Sequence, residues 1–233
     1  MKKDRVFTEA ELREMGRSTL DVLQEAIDAG DKEKAKELAG RMSREFGALQ
    51  DVYCVQLAGI MSYIYETHGE DDFYNAIRRM IGSYADQRGE QYAKADFRQR
   101  VQMRAAGLRS HLHPVTIVED DEKVCMKMEP CGSGEALFKN GNYGLPRNFT
   151  LIQKAHPMTY GMTDFPIYCT HAPIIEQLWI ERFGAPFYVV YPAEKMAREG
   201  CWYCIYKDPN DIPEEIYKRV GKKKNSANNP NTL

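Results

Sequence analysis

The chain has 233 residues, 43% hydrophobic and 28% charged, a composition that fits a globular protein long enough to bury a core. A formal net charge of −2 supplies no basic field for nucleic acid or an anionic membrane surface, so neither is an expected partner. No window approaches the ~18 consecutive apolar residues of a membrane span, and the polar start Met1–Arg5 has no apolar stretch behind it. The expectation is a cytoplasmic protein whose six cysteines (Cys54, Cys125, Cys131, Cys169, Cys201 and Cys204) are all free thiols.

In chain order, helices come first. Thr8-Glu9-Ala10-Glu11 is a capping-box pattern, after which Leu12, Met15, Leu23 and Ile27 trace one face as far as Gly30. Asp31 then caps a second helix that carries Ala35, Leu38, Met42 and Phe46 and stops at Gly47. A third helix places Leu49, Val52, Tyr53, Leu57, Ile60 and Ile64 before His68-Gly69. A fourth opens at Asp71-Asp72 and runs, with a kink, to about Leu108, burying Phe73, Ile77, Met80, Ile81 and Tyr84.

Past His113-Pro114 the pattern changes. Val115–Val118 and Val124–Met128 read as strands around the acidic turn Glu119–Glu122. A helix follows from Pro173 to Gly184, then two strands, Phe187–Tyr191 and Cys201–Tyr206, and a short helix from Asp211. The predicted fold is α+β: N-terminal antiparallel helices packed on a mixed, mainly antiparallel sheet with one crossing helix. One domain is expected, with a helical half at about 8–110, an α+β half at about 115–220 and a disordered tail from about 222.

Three groups of residues could carry chemistry. In Cys131-Gly132-Ser133-Gly134 a cysteine leaves a strand into glycines whose backbone amides could converge on an oxyanion, or else the segment is a tight turn around a buried thiol. In Asp164–Pro173, Pro173 suits a first helical turn, which puts Cys169, Thr170 and His171 at the helix start. There the helix end and the imidazole would both favour a thiolate, while Thr170 also suits an N-cap. Cys201-Trp202-Tyr203-Cys204 has redox or half-zinc spacing but continues as a strand, which favours a structural role. His111 and His113, at i, i+2 spacing, could ligate a metal but read more simply as a solvated pair. His156 is a further candidate for the site, and the aromatic C-terminal half either lines a pocket or packs the core.

Together these motifs resemble the L-2-amino-thiazoline-4-carboxylic acid hydrolase-like family. The resemblance rests on a helical first half, Cys131 with its glycines, Asp164-Phe-Pro-Ile-Tyr-Cys169 entering a helix, and the late Cys201-x-x-Cys204 strand. It implies hydrolytic opening of a small sulfur–nitrogen ring. The chain departs from the family pattern where an acidic residue would follow Tyr168-Cys169, because His171-Ala172-Pro173 stands there. The late cysteine strand is also similar to 4-vinyl reductase-like small-molecule-binding domains.

The expected function is hydrolysis of a C–N or related bond in a small substrate. Cys131 or Cys169 would be the nucleophile, His171 the base and acid, and Asp164 the orienting carboxylate. Gly132, Ser133, Gly134, His156 and Tyr168 would bind substrate. The alternatives are a non-catalytic binding domain with an aromatic pocket, or a metal-dependent enzyme using Cys131, Cys169, His171, Cys201 and Cys204. No cofactor is required, zinc or another transition metal is left open, and so is a homo-oligomer.

Overall fold

The computed structural model describes residues 6–224. The leader reading at Met1–Arg5 and the tail reading beyond residue 224 therefore lie outside the described residues. The chain divides into two compact units, residues 1–50 and 51–233.

The first unit is helical. The Thr8 capping box forms, with the Thr8 N–H donating to Glu11 at 2.7 Å and the Glu11 N–H to the Thr8 hydroxyl at 3.2 Å. The single helix predicted up to Gly30 is instead two, α1 (Glu9–Met15) and α2 (Thr19–Asp28), because Ser18 caps a new start through Asp21 N–H. Leu12, Met15 and Ile27, read as an inward face, are exposed. Asp31 does cap α3 (Lys32–His68), which begins in this unit and ends in the second, accepting from the Lys34 N–H at 3.0 Å. This helix continues through Gly47, where a stop was expected. An internal glycine costs only about 1 kcal/mol against alanine, and no cap residue or proline accompanies this one.

In the second unit, α4 (Glu70–Lys94) and α5 (Phe97–Arg109) replace the one kinked helix predicted there. Asp96 and Gln99 form a capping box at the break, a signal missed in the sequence. Phe73, Ile77 and Ile81 are buried as expected, whereas Met80 and Tyr84 are exposed. The helix α7 (His171–Phe183) packs on α4, where the Phe183 ring lies so close to Gly89 that a Cβ there would overlap it. Across the same contact the Trp179 Nε1–H donates to the Ala85 carbonyl at 2.8 Å.

The sheet is four-stranded and antiparallel, in the order β1 (Val115–Glu119), β2 (Lys123–Met128), β6 (Trp202–Tyr206), β5 (Val189–Tyr191), with α5 against β1 and β2. Two short strands, β3 (Leu151–Ile152) and β4 (Phe165–Pro166), pair separately. The α+β prediction is correct, and the order of strands and helices follows the chain as read. The short helices α6 (Gly134–Lys139) and α8 (Glu214–Arg219) complete the set.

One expectation fails here. The register places Cys125 opposite Cys204 on adjacent strands, and the two form a disulfide. The remaining cysteines, Cys54, Cys131, Cys169 and Cys201, are free. Cys201 and Cys204 are thus neither a redox pair nor half a zinc site, since Cys204 bonds across strands and not to Cys201. Near the approximate start of the expected tail, Lys222 pairs with Glu181 at 2.6 Å and Lys224 donates to the Ile212 carbonyl at 2.8 Å.

Candidate functional site

A cleft enclosing about 360 Å³ of space not filled by protein, open solvent at its mouth included, lies in the second unit. Its lining joins all three cysteine motifs: Cys131, Ser133 and Gly134 from the β2–α6 turn, Cys169 and His171 from the start of α7, and Cys201 and Tyr203 from β6 and its approach.

The thiols are not equivalent. Cys169 sits in a single 3-10 turn (Ile167–Thr170), is only 5% exposed, and burial pushes its thiol well above the ordinary range. Burial thus works against the thiolate expected there. Thr170 does not cap α7 either; its backbone is already helical and its hydroxyl donates back to the Ile167 carbonyl at 2.8 Å. Cys201 is pushed up to about 11, chiefly by burial, and its thiol donates to the Met196 sulfur at 3.4 Å. Cys131 is half-buried at the cleft, with its Sγ 3.5 Å from the Ser133 hydroxyl.

His171 is held by its Nδ1, which faces the Tyr168 carbonyl at 2.7 Å. Donation from Nδ1 to that carbonyl leaves Nε2 as a free acceptor. Burial is the largest influence on its titration and lowers it, so the ring is neutral at pH 7. The Tyr168 carbonyl thus orients the ring where the sequence reading put Asp164. Asp164 is exposed, has a φ of 51°, and does not line the cleft.

Two other expected binding residues are also used elsewhere. His156 accepts the Met158 N–H on Nδ1 at 3.1 Å and pairs through Nε2 with Glu70 at 3.1 Å. The Tyr168 hydroxyl lies 3.4 Å from the Cys54 sulfur, in a small core with Leu137 and Phe149. Gly132 is buried and adjoins the cleft without being among its lining residues.

Sequence reasoning missed Glu135 and Glu199, which also line the cleft. Glu135 is buried; its carboxylate accepts the Cys131 N–H at 2.9 Å and pairs with Lys139 at 2.5 Å. An acid in the first turn after Gly-Ser-Gly was a readable signal. Nothing in the sequence marked the loop that carries Glu199. Arg104 was missed as well: its guanidinium stacks on Tyr203 at 4.0 Å and Tyr188 at 4.3 Å, directly behind the cleft wall.

As for metals, no group of three or more His, Cys, Asp or Glu side chains among the described residues is arranged to hold an ion. The five ligand candidates named from the sequence therefore do not form a metal centre. Among the described residues no helix is long and apolar enough to cross a membrane. No family model matches the chain, and comparison with curated proteins and with solved structures finds no significant match.

Proposed function

We propose that the cleft hydrolyses a C–N or related bond of a small, compact substrate, with Cys131 as the nucleophile. The observation that carries this reading is the meeting of a half-buried cysteine with a neutral, oriented imidazole on one small cleft. The other two cleft thiols, Cys169 and Cys201, stay protonated through burial, which favours Cys131 among the three.

In the first step the Cys131 sulfur bonds to the substrate carbon. His171 Nε2 takes the thiol proton and delivers it to the departing nitrogen as the C–N bond breaks. Water then attacks the same carbon and gives its proton to His171; the C–S bond breaks and the proton returns to sulfur. The backbone amides of Ser133 and Gly134, at the cleft lining, are the candidates to receive developing negative charge. The likeness to thiazoline-carboxylate hydrolases is consistent with this chemistry and does not by itself identify the substrate.

The test is alkylation of Cys131 by chloroacetamide, followed by peptide mass spectrometry from about pH 5.5 to 9. Cys131 should react faster below pH 7 than N-acetylcysteine amide, and His171→Asn should abolish the excess. Reactivity equal to that of the reference thiol would overturn the nucleophile. It would favour a non-catalytic binding cleft, a reading already supported by the burial that keeps Cys169 and Cys201 protonated.

A further inference from the structure

We infer that the cleft admits small neutral or cationic electrophiles and rejects those that carry a carboxylate. This inference rests on the thiol-centred reading above and narrows its substrate class. Among the described residues, the only charged side chains lining the cleft are Glu135 and Glu199.

The neighbouring cations stay off the lining itself. The Glu135 carboxylate is 6% exposed, whereas its partner Lys139 is 60% exposed. Water and salt therefore screen the ammonium more strongly than the carboxylate. Lys127, 17% exposed, has its ammonium on Glu129 at 2.8 Å and does not line the cleft, although it also attracts Glu199 and Glu135 from outside the lining. The Arg104 guanidinium lies against the rings of Tyr203 and Tyr188 and does not itself line the cleft, although its charge is felt at His171 and Tyr203, which do. His171 is neutral at pH 7 and adds no positive charge. A substrate carboxylate would thus enter a small cavity with two like charges and no cation to receive it, at a cost that falls directly on its encounter rate. A carboxylate held on the ring, as the thiazoline resemblance implies, is disfavoured on the same ground.

Chloroacetamide, chloroacetate and (2-bromoethyl)trimethylammonium test this at Cys131, each rate divided by that of N-acetylcysteine amide. The chloroacetate-to-chloroacetamide ratio should fall about tenfold below the reference thiol, as expected for like charges a few ångströms apart under partial screening. The cationic reagent should match or exceed the neutral one. Glu199→Gln should raise the anionic ratio, and Glu135→Gln should raise it again; because Glu135 also holds the Cys131 amide, Glu199→Gln is the variant that keeps the test independent of folding. A ratio equal to the reference, or one that Glu199→Gln leaves unmoved, overturns the inference.

The His171 imidazole resonances, followed by NMR during additions of acetamide, acetate and ethyltrimethylammonium, read the same selection without thiol chemistry. Acetate should leave them unmoved while the other two shift them, and an acetate shift equal to that of acetamide overturns the inference. Slow alkylation by all three reagents, with this order kept at His171, would remove Cys131 as nucleophile and leave the charge selection standing.

Discussion

A Cβ on Gly134 would lie 2.7 Å from the Sγ of Cys169, closer than side-chain carbons approach sulfur. The Gly-Ser-Gly turn and the start of α7 therefore meet at a single sulfur atom, and glycine is required there by space. Gly134→Ala should destabilise the protein by about 1–3 kcal/mol, the usual cost of overpacking. Cys169→Ala removes the obstructing atom, so the double variant should recover a large part of that loss. Urea midpoints of the four proteins check this, and additive single effects would contradict it.

Glu176 and Arg219 form a second close relationship, buried on the far side of α7. Glu176 is fully buried and accepts from the Arg219 guanidinium at 3.1 Å, the Tyr160 hydroxyl at 3.0 Å and the Val190 N–H at 2.7 Å. Burial holds its carboxyl above the ordinary range despite these donors. Glu176→Ala leaves the half-buried Arg219 guanidinium without its anion and the buried Tyr160 hydroxyl and Val190 N–H without their acceptor, and should cost about 3–5 kcal/mol. A loss under about 1 kcal/mol in chemical unfolding would contradict it.

Freshly purified protein, unfolded and alkylated without reductant, should take up four labels at Cys54, Cys131, Cys169 and Cys201. Reduction first should raise the number to six, by adding Cys125 and Cys204. Six labels before reduction would contradict the cross-strand bond. In the native protein Cys201, with its thiol pushed up to about 11, should react far more slowly than Cys131 near pH 8.

The imidazole of His171 gives a pH dependence of defined sign. Burial lowers its folded pKa, so the unfolded chain, with an ordinary value near ~6.5, binds the proton more tightly. The stability this group contributes is complete above about pH 6.5 and is lost as pH falls below it. Comparing unfolding midpoints at pH 7 and about pH 5, the wild type should lose more than His171→Asn. Equal losses would mean that the ring titrates normally.

Much of the fold was legible because local signals agreed with the final packing. Asp31 capped where it should, His68-Gly69 closed α3, and the acidic turn joined β1 to β2. The errors have a common physical origin. Gly47 looked like a stop but lacked any capping partner, and Asp96 was passed over although Gln99 completes its box. Leu12, Met15 and Ile27 repeat at helical spacing, yet they remain exposed, because periodicity marks a face without saying what covers it.

At the site, the three cysteine motifs were readable from their glycines and spacing, and the cleft unites them. Asp164 could not be placed, since the partner of His171 is a backbone carbonyl, which every residue has. The disulfide was hidden because pairing register depends on the entire sheet.

That bond changes the covalent topology of the site. Cys125 and Cys204 are 79 positions apart, and every residue lining the cleft, from Cys131 to Tyr203, falls between them. The site is thus carried within one macrocycle, while α1 to α5 lie outside it. A single protease cut between Cys131 and Cys201 opens the macrocycle without releasing either piece, so the cleft residues stay tethered at a high effective concentration. Under reducing conditions the same cut yields two chains, and the thiols of Cys131 and Cys201 part company with only packing to hold them together.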